Sequence, residues 1–441
     1  MRQNTAMKLG AIAAVTAVAL AGCSAAEDGP STSDFDTAMS TPTEITMWAW
    51  APGIEAQVAL FEEAYPEIDV VLENVGQGGE HYTKVRTALE AGTGAPDVAQ
   101  FEYQYIPSFV LTENLLDLAP YGAGDVEDQF TPWTWAQVTN GDAIYAIPQD
   151  AGPMGNLYRE DILSSAGITE APVTWEDYTA AAEAVKADSG SYISSFSGND
   201  AGSFLGLLWA AGATPFTYDG DQTVSVSLTD PESQKVVDYW QDLIDRDLVA
   251  VDPSFTDGWY QGLANGAYAG WLTAAWGPAF LQGTAADTSG LWRAAPLPQF
   301  DAADPIAGNW GGSTLGALSS TEHPIVAAEL AKFINTDSAA TLAFATEQSL
   351  FPTRTEVLTA SEFVDQESEF YGGQRVNEIF AEISTTVDTD FQWLPFQDQV
   401  ASSFVDTLGK EISERGDLSA GLAAWQDAIV TYATDQGFTV E

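Results

Sequence analysis

Between Glu44 and Phe101 the hydrophobic pattern switches repeatedly between a period of two and a period near 3.6, and this alternation constrains the fold more than any other feature. Glu44-Ile45-Thr46-Met47-Trp48-Ala49-Trp50 alternates as a strand does and stops at Pro52-Gly53; Val58, Leu60, Phe61 and Ala64 then recur at helical spacing. Asp69 to Val75 returns as a Val-rich strand, Tyr82 to Ala91 reads as a helix ended by Gly92, and Asp97 to Phe101 reads as a third strand. Strands and helices in alternation imply a mostly parallel sheet with helices on its faces. Ligands of such sheets collect at the carboxyl ends of the strands.

Past Pro148 the pattern becomes more helical. Thr174-Trp175-Glu176-Asp177 has the form of a capping box and predicts a helix through Lys186. Asp230-Pro231 opens another, with Val236, Val237, Trp240, Leu243 and Ile244 on one apolar face. Tyr218-Asp219-Gly220-Asp221 is a turn signal followed by alternating Val224 and Val226. His323-Pro324 precedes a helix carrying Ala327, Leu330, Ala331 and Ile334, and Phe404 to Gln436 reads as helices interrupted at Gly416.

The N-terminal segment says where such a chain ends up. Arg2 and Lys8 supply a basic start, Leu9 to Leu20 form an apolar run, and Leu20-Ala21-Gly22-Cys23 closes it in the pattern of a bacterial lipobox. A bilayer-spanning helix needs about 20 apolar residues, so export and cleavage are expected rather than a membrane helix. Cys23 is the single cysteine in the sequence, which rules out an intramolecular disulfide and suits acylation. Ser24 to Thr43, rich in Ser, Thr, Asp and Ala, is expected to be a flexible tether.

Charge narrows the partners. Fourteen Lys and Arg stand against 64 Asp and Glu, a formal net charge of −50. A surface of this sign repels phosphate backbones and anionic lipid heads, so nucleic acid is excluded as a partner and membrane association is left to the lipid anchor. The acids are scattered rather than blocked, as on a solvated surface.

Five stretches resemble the extracellular solute-binding proteins of family 1, the lipid-anchored receptors of carbohydrate ABC importers. They are Ile45 to Trp50; Pro96-Asp97-Val98; Ile147-Pro148-Gln149-Asp150-Ala151-Gly152-Pro153 with Leu157-Tyr158-Arg159; Pro172 to Asp177; and Gly311-Gly312-Ser313 leading to Ala327 to Ile334. The likeness covers roughly Glu44 to Leu358. It implies a two-lobe, hinge-linked α/β fold of the type II periplasmic-binding-protein kind behind a signal peptide (1–22) and tether (23–43). The N-lobe would comprise 44–150 and 311–353, the C-lobe 151–310 and 354–441. Crossings are expected near Pro148, Gly311 and Arg354, with ligand in the cleft and lobes that close over it. Gly311-Gly312 suits a hinge, and equally a plain tight turn.

A sugar offers C–H faces and a ring of hydroxyls, so its site needs aromatic plates and rim groups that accept hydrogen bonds. Candidates are Trp50 after the first strand, Glu102-Tyr103 after the third, Asp150 at the first crossing, Trp276 before Gly277-Pro278, Trp310-Gly311-Gly312 at the second crossing, and Trp393. Trp175 and Trp240 are assigned to the core. Asp150 suits ligand binding or capping of a helix after Gly152-Pro153. Arg354 suits a sugar hydroxyl, a bridge between lobes or a surface ion pair. With the resemblance, these residues point to a monomeric extracellular receptor on the outer face of the cytoplasmic membrane, handing a neutral oligosaccharide to ABC permease subunits.

Enzyme readings have little to work with. Two histidines, His81 and His323, leave almost no raw material for a Ser-His-Asp triad or a His-rich metal site, and no cofactor motif is present. A lipid-anchored glycoside hydrolase is the alternative, since it needs only paired carboxylates. A purely adhesive surface lipoprotein would not need aromatics at strand ends.

Overall fold

The computed structural model describes residues 29–441, so the expected signal peptide and Cys23 lie outside the described residues. Its main sheet has seven strands: β1 (Thr43–Trp48), β2 (Ile68–Glu73), β3 (Val98–Glu102), β4 (Ile147–Arg159), β5 (Gly270–Ala274), β6 (Trp292–Pro296) and β7 (Asn309–Ala317). They lie in the order β6-β4-β7-β3-β1-β2, and β5 also pairs with β4. The parallel sheet expected from the alternation is present in β1, β2 and β3. Beyond β3 every pairing of this sheet is antiparallel, because β7 and β4 run back through it and β5 and β6 flank the far half of β4.

Strand β4 is the spine of the molecule. Its first half pairs with β7 and its second half with β5 and β6. Ile147 belongs to one hydrophobic core, with Ile45, Phe61, Val98, Phe101 and Leu330, whereas Ala151, Met154 and Leu157 belong to a second, with Trp209, Trp240, Trp292 and Trp425. The chain returns between the cores in β7, where Leu315 lies in the first and Ala307 before it in the second, and again between Phe344 and Phe351. On the short helix Pro132–Ala136, Trp133 enters the second core and Trp135 the first.

Local chemistry explains most of the elements. Thr174 and Asp177 form the reciprocal capping box that opens helix Trp175–Ser189. The Asp230 carboxylate accepts from the Glu232 and Ser233 N–H groups at the start of Pro231–Asp245, whose apolar face is buried as its spacing predicts. Trp175 and Trp240 are both core residues.

Two expectations change. No helix follows Gly152-Pro153: both residues are inside β4, Pro153 pairs with Asn309, and Asp150 caps nothing. Within the segment expected as a tether, Thr32–Met39 is a helix opened by a Ser31/Asp34 capping box. Phe35, Ala38 and Met39 form an apolar stripe that packs on the first core, a pattern hidden by the polar composition around it.

The crossing in β7 is irregular, with register shifts between Asn309 and Gly312 and between Ser313 and Thr314. Gly311 and Gly312 take φ of 81° and 91°, which disfavours any L side chain. A Cβ on Gly312 would sit 2.8 Å from the Asp150 carbonyl oxygen and 2.9 Å from the Tyr103 ring, whereas on Gly311 it would meet the Trp276 Nε1 at 3.3 Å. Gly312→Ala is therefore expected to destabilise the protein by about 2 kcal/mol or more, and Gly311→Ala by less. Urea unfolding of the two variants checks this; equal losses would contradict it.

Candidate functional site

The crossings and the ends of β1 and β3 assemble one connected group of side chains. Gln100, on β3, accepts from the Trp50 and Ala51 N–H groups at 2.9 and 3.0 Å and so fixes the turn after β1. Its amide nitrogen donates to the Ser313 hydroxyl at 2.8 Å, and Ser313 donates to the Asp150 carboxylate. The Tyr103 hydroxyl donates to the Asp150 carbonyl at 3.1 Å. Gln100 and Ser313 are buried and were absent from the sequence-level candidates, although Ser313 follows the Gly pair directly.

Aromatic rings line the second-core side of the crossing. Trp276 and Trp310 are half-buried, 4.7 Å apart between centroids and nearly perpendicular at 72°. The Trp276 indole N–H donates to the Trp310 carbonyl at 2.9 Å, which fixes the ring. Phe280, one helical turn after Trp276 and 5.6 Å from it, is 51% exposed. Phe255 also stands here, 6.2 Å from Trp276 and 5.9 Å from Trp310. On the first-core side, half-buried Trp50 packs edge-on against His81 at 4.8 Å. Burial pushes the His81 imidazole down to about 4, so it is neutral at physiological pH.

Carboxylates complete the group. Burial is the main cause that raises Glu102 to about 7, with Asp150 and Asp398 adding their charges; the Tyr82 hydroxyl, which donates to it at 3.1 Å, opposes the rise. Burial raises Asp150 as well, against the Ser313 hydrogen bond. Asp398 belongs to a helix packed on the second core, and it pairs with Arg86, on helix Gly79–Ala91 of the first, at 2.8 Å.

Trp50, Glu102, Tyr103, Asp150, Trp276, Trp310, Gly311 and Gly312 are thus linked through contacts and charge, and two candidates fall outside. Arg354 is buried, with its guanidinium bonded to Ser338, Thr341, Gln129 and Glu356, so it ties the third crossing to its neighbours and offers no free donor fork to a ligand. Trp393 is interior, 4.9 Å from the Phe391 ring, with its N–H given to Gln137 at 2.6 Å. Both had been placed by chain position, which does not report the partners that occupy them.

Two cores joined by three crossings, with aromatic plates and acceptors gathered at the joint, define a two-lobe binding protein. The model of the bacterial extracellular solute-binding proteins matches residues 44–341, and the chain belongs to that family. An ABC transporter-associated binding protein from B. animalis subsp. lactis, solved in complex with β-1,6-galactobiose, is 35% identical, with coverage of 90% of this chain and 99% of that one and a TM-score of 0.77. The galacto-N-biose-/lacto-N-biose I-binding protein of the ABC transporter of Bifidobacterium longum, solved with lacto-N-biose, is 25% identical over 90% and 99% of the two chains, with a TM-score of 0.78. An arabinooligosaccharide-binding protein of Bacillus subtilis (strain 168) is 23% identical, covering 71% of this chain and 72% of its own length.

A raised carboxyl pKa has a definite effect on stability. The folded state holds its proton on Glu102 up to about pH 7, while the unfolded chain releases it near 4.5, so the folded state binds the extra proton between those values. Stability from this group is therefore present at low pH and lost as pH rises from about 4.5 to 7. Glu102→Gln is expected to match the wild type at pH 4 and exceed it by about 1–3 kcal/mol at pH 8. Chemical denaturation at both pH values measures the difference; a variant no more stable at pH 8 would refute it.

Proposed function

We propose that this solute-binding protein is an extracellular receptor that takes a neutral oligosaccharide in the cleft between its lobes and hands it, chemically unchanged, to the permease subunits of an ABC importer. The observation that carries the reading is the pairing of fixed, half-buried Trp276 and Trp310 with the acceptor-rich edge formed by Glu102 and Asp150. Indole faces suit the C–H faces of pyranose rings, and carboxylates accept from hydroxyls. The Arg86 guanidinium beside the acids is already paired with Asp398, which disfavours an anionic sugar. Relatives solved with β-1,6-galactobiose and lacto-N-biose support the same class of ligand.

Segments 44–150 and 311–353 form the N-lobe in this reading, and 151–310 and 354–441 the C-lobe. A ligand touching both favours the closed form, because it gains contacts there that the open form cannot offer. The receptor works as a monomer, anchored through Cys23 at the outer face of the cytoplasmic membrane. No helix among the described residues is long and apolar enough to cross a bilayer.

Calorimetric titration with β-1,6-galactobiose, lacto-N-biose and an arabino-oligosaccharide tests the binding. Trp276→Ala and Trp310→Ala are each expected to weaken it by about 1–3 kcal/mol while folding survives. Sustained release of shorter sugars by the purified protein, abolished by Glu102→Gln or Asp150→Asn, would establish the glycoside hydrolase instead. Mass spectrometry of the mature protein is expected to find a diacylglyceryl group on Cys23, absent from Cys23→Ser; a mature chain starting elsewhere would remove the anchor.

A further inference from the structure

Phe255 lies in the loop before helix Asp257–Asn265 and has φ of 64°. A bulky side chain rarely takes this left-handed conformation, which glycine or asparagine would fill with less strain. Burial does not account for it either, since the residue is 40% exposed. Packing on Trp259, Tyr260 and Trp271 covers only part of the ring, so folding leaves a face of the phenylalanine open to solvent at this position. Its ring nevertheless has defined neighbours: Trp259 at 5.6 Å beneath it and the platform rings Trp310 and Trp276 at 5.9 and 6.2 Å.

The loop is tied down on both sides of the strained residue. The Ser254 N–H donates to the Asn199 side-chain oxygen at 2.9 Å and to the Ser197 hydroxyl at 3.0 Å, while the Asn199 amide donates back to the Ser254 carbonyl at 3.3 Å. The Thr256 hydroxyl accepts from the Trp259 N–H at 3.2 Å, and the Ser195 hydroxyl donates to the Asp252 carbonyl at 3.2 Å. Strained backbone persists where its surroundings over-determine it, and such positions cluster at ligand sites.

We propose that Phe255 is a third stacking plate beside Trp276 and Trp310, held in place by the reciprocal hydrogen bonds of Asn199 to Ser254, so that Phe255 contacts the sugar and Asn199 is a positioning residue. The proposal rests on the receptor reading given above and extends the platform to a ring that faces solvent. A plate fixed before the ligand arrives loses little further freedom on binding, which favours affinity.

The test uses the full chain and whichever of β-1,6-galactobiose, lacto-N-biose or an arabino-oligosaccharide the wild type binds most tightly. Phe255→Ala and Phe255→Leu are both expected to weaken binding about tenfold with an unchanged melting temperature, and Phe255→Trp to restore most of it. Leucine keeps apolar bulk without a ring face, so it separates stacking from folding. Asn199→Ala is expected to weaken binding less, and to add nothing when combined with Phe255→Ala, the signature of a residue acting through the ring. Wild-type affinity in folded Phe255→Ala and Phe255→Leu would overturn the plate. Additive losses in the double variant would overturn the positioning role. A wild type that binds none of the three sugars would overturn the receptor reading itself, and the plate with it.

Discussion

Everything in the site hangs from the antiparallel pairing of β4 with β7 where the two strands pass between the cores. A strand shared by two cores must keep its ladder while its side chains change allegiance, and the pairing here does so with two register shifts. Bulges re-aim side chains and twist the local strand. The shift between Asn309 and Gly312 places Trp310 against Trp276, and the one after Ser313 leaves that hydroxyl on Asp150. Gly312 is needed because the Asp150 carbonyl and the Tyr103 ring occupy the space a Cβ would take. Two backbone irregularities thus position an aromatic ring and a hydrogen-bond acceptor together.

The acids at this joint interact differently from those on the surface. Sixty-four Asp and Glu residues give the chain its large negative charge, but exposed carboxylates are solvated and screened over about 10 Å at moderate salt. Glu102 and Asp150 are partly removed from water, and their raised pKa values show that the site disfavours additional negative charge there. Hydroxyl donors supply what such groups lack without bringing charge of their own. Hydroxyls donated to these carboxylates would offset part of their desolvation, whereas a second anion would add repulsion.

How much was legible in the sequence follows from the range of the signals. Capped helices such as Trp175–Ser189 and Pro231–Asp245 are encoded within a few residues, and their limits could be read directly. β4 could not, because Pro148, Gly152 and Pro153 are ordinarily breakers; here their neighbours supply the pairing and tolerate the missing N–H groups. The place of Trp276 and Trp310 beside the crossing was legible because Gly and Pro beside them mark a turn at a strand end. The positive φ of Phe255 was not, since the neighbouring Ser254 is held by Asn199, more than fifty residues away in the chain, and that contact leaves no local trace. Trp393 and Arg354 show the converse: they stand in suggestive segments, and their partners Gln137 and Ser338 fill the valences a ligand would need.

The same geometry bears on what sets the balance between open and closed lobes. The Arg86 to Asp398 pair spans the two sides, yet its side chains are 37% and 52% exposed. Exposed ion pairs contribute about 0–1 kcal/mol, which shifts a two-state equilibrium only a few-fold. Moving such an equilibrium from mostly open to mostly closed takes roughly 5 kcal/mol of differential affinity. That amount is on the scale of two or three aromatic contacts and their hydrogen bonds, not of one surface pair. The Arg86 to Asp398 pair alone is therefore too weak to set the conformation, whereas a ligand touching both lobes would outweigh it.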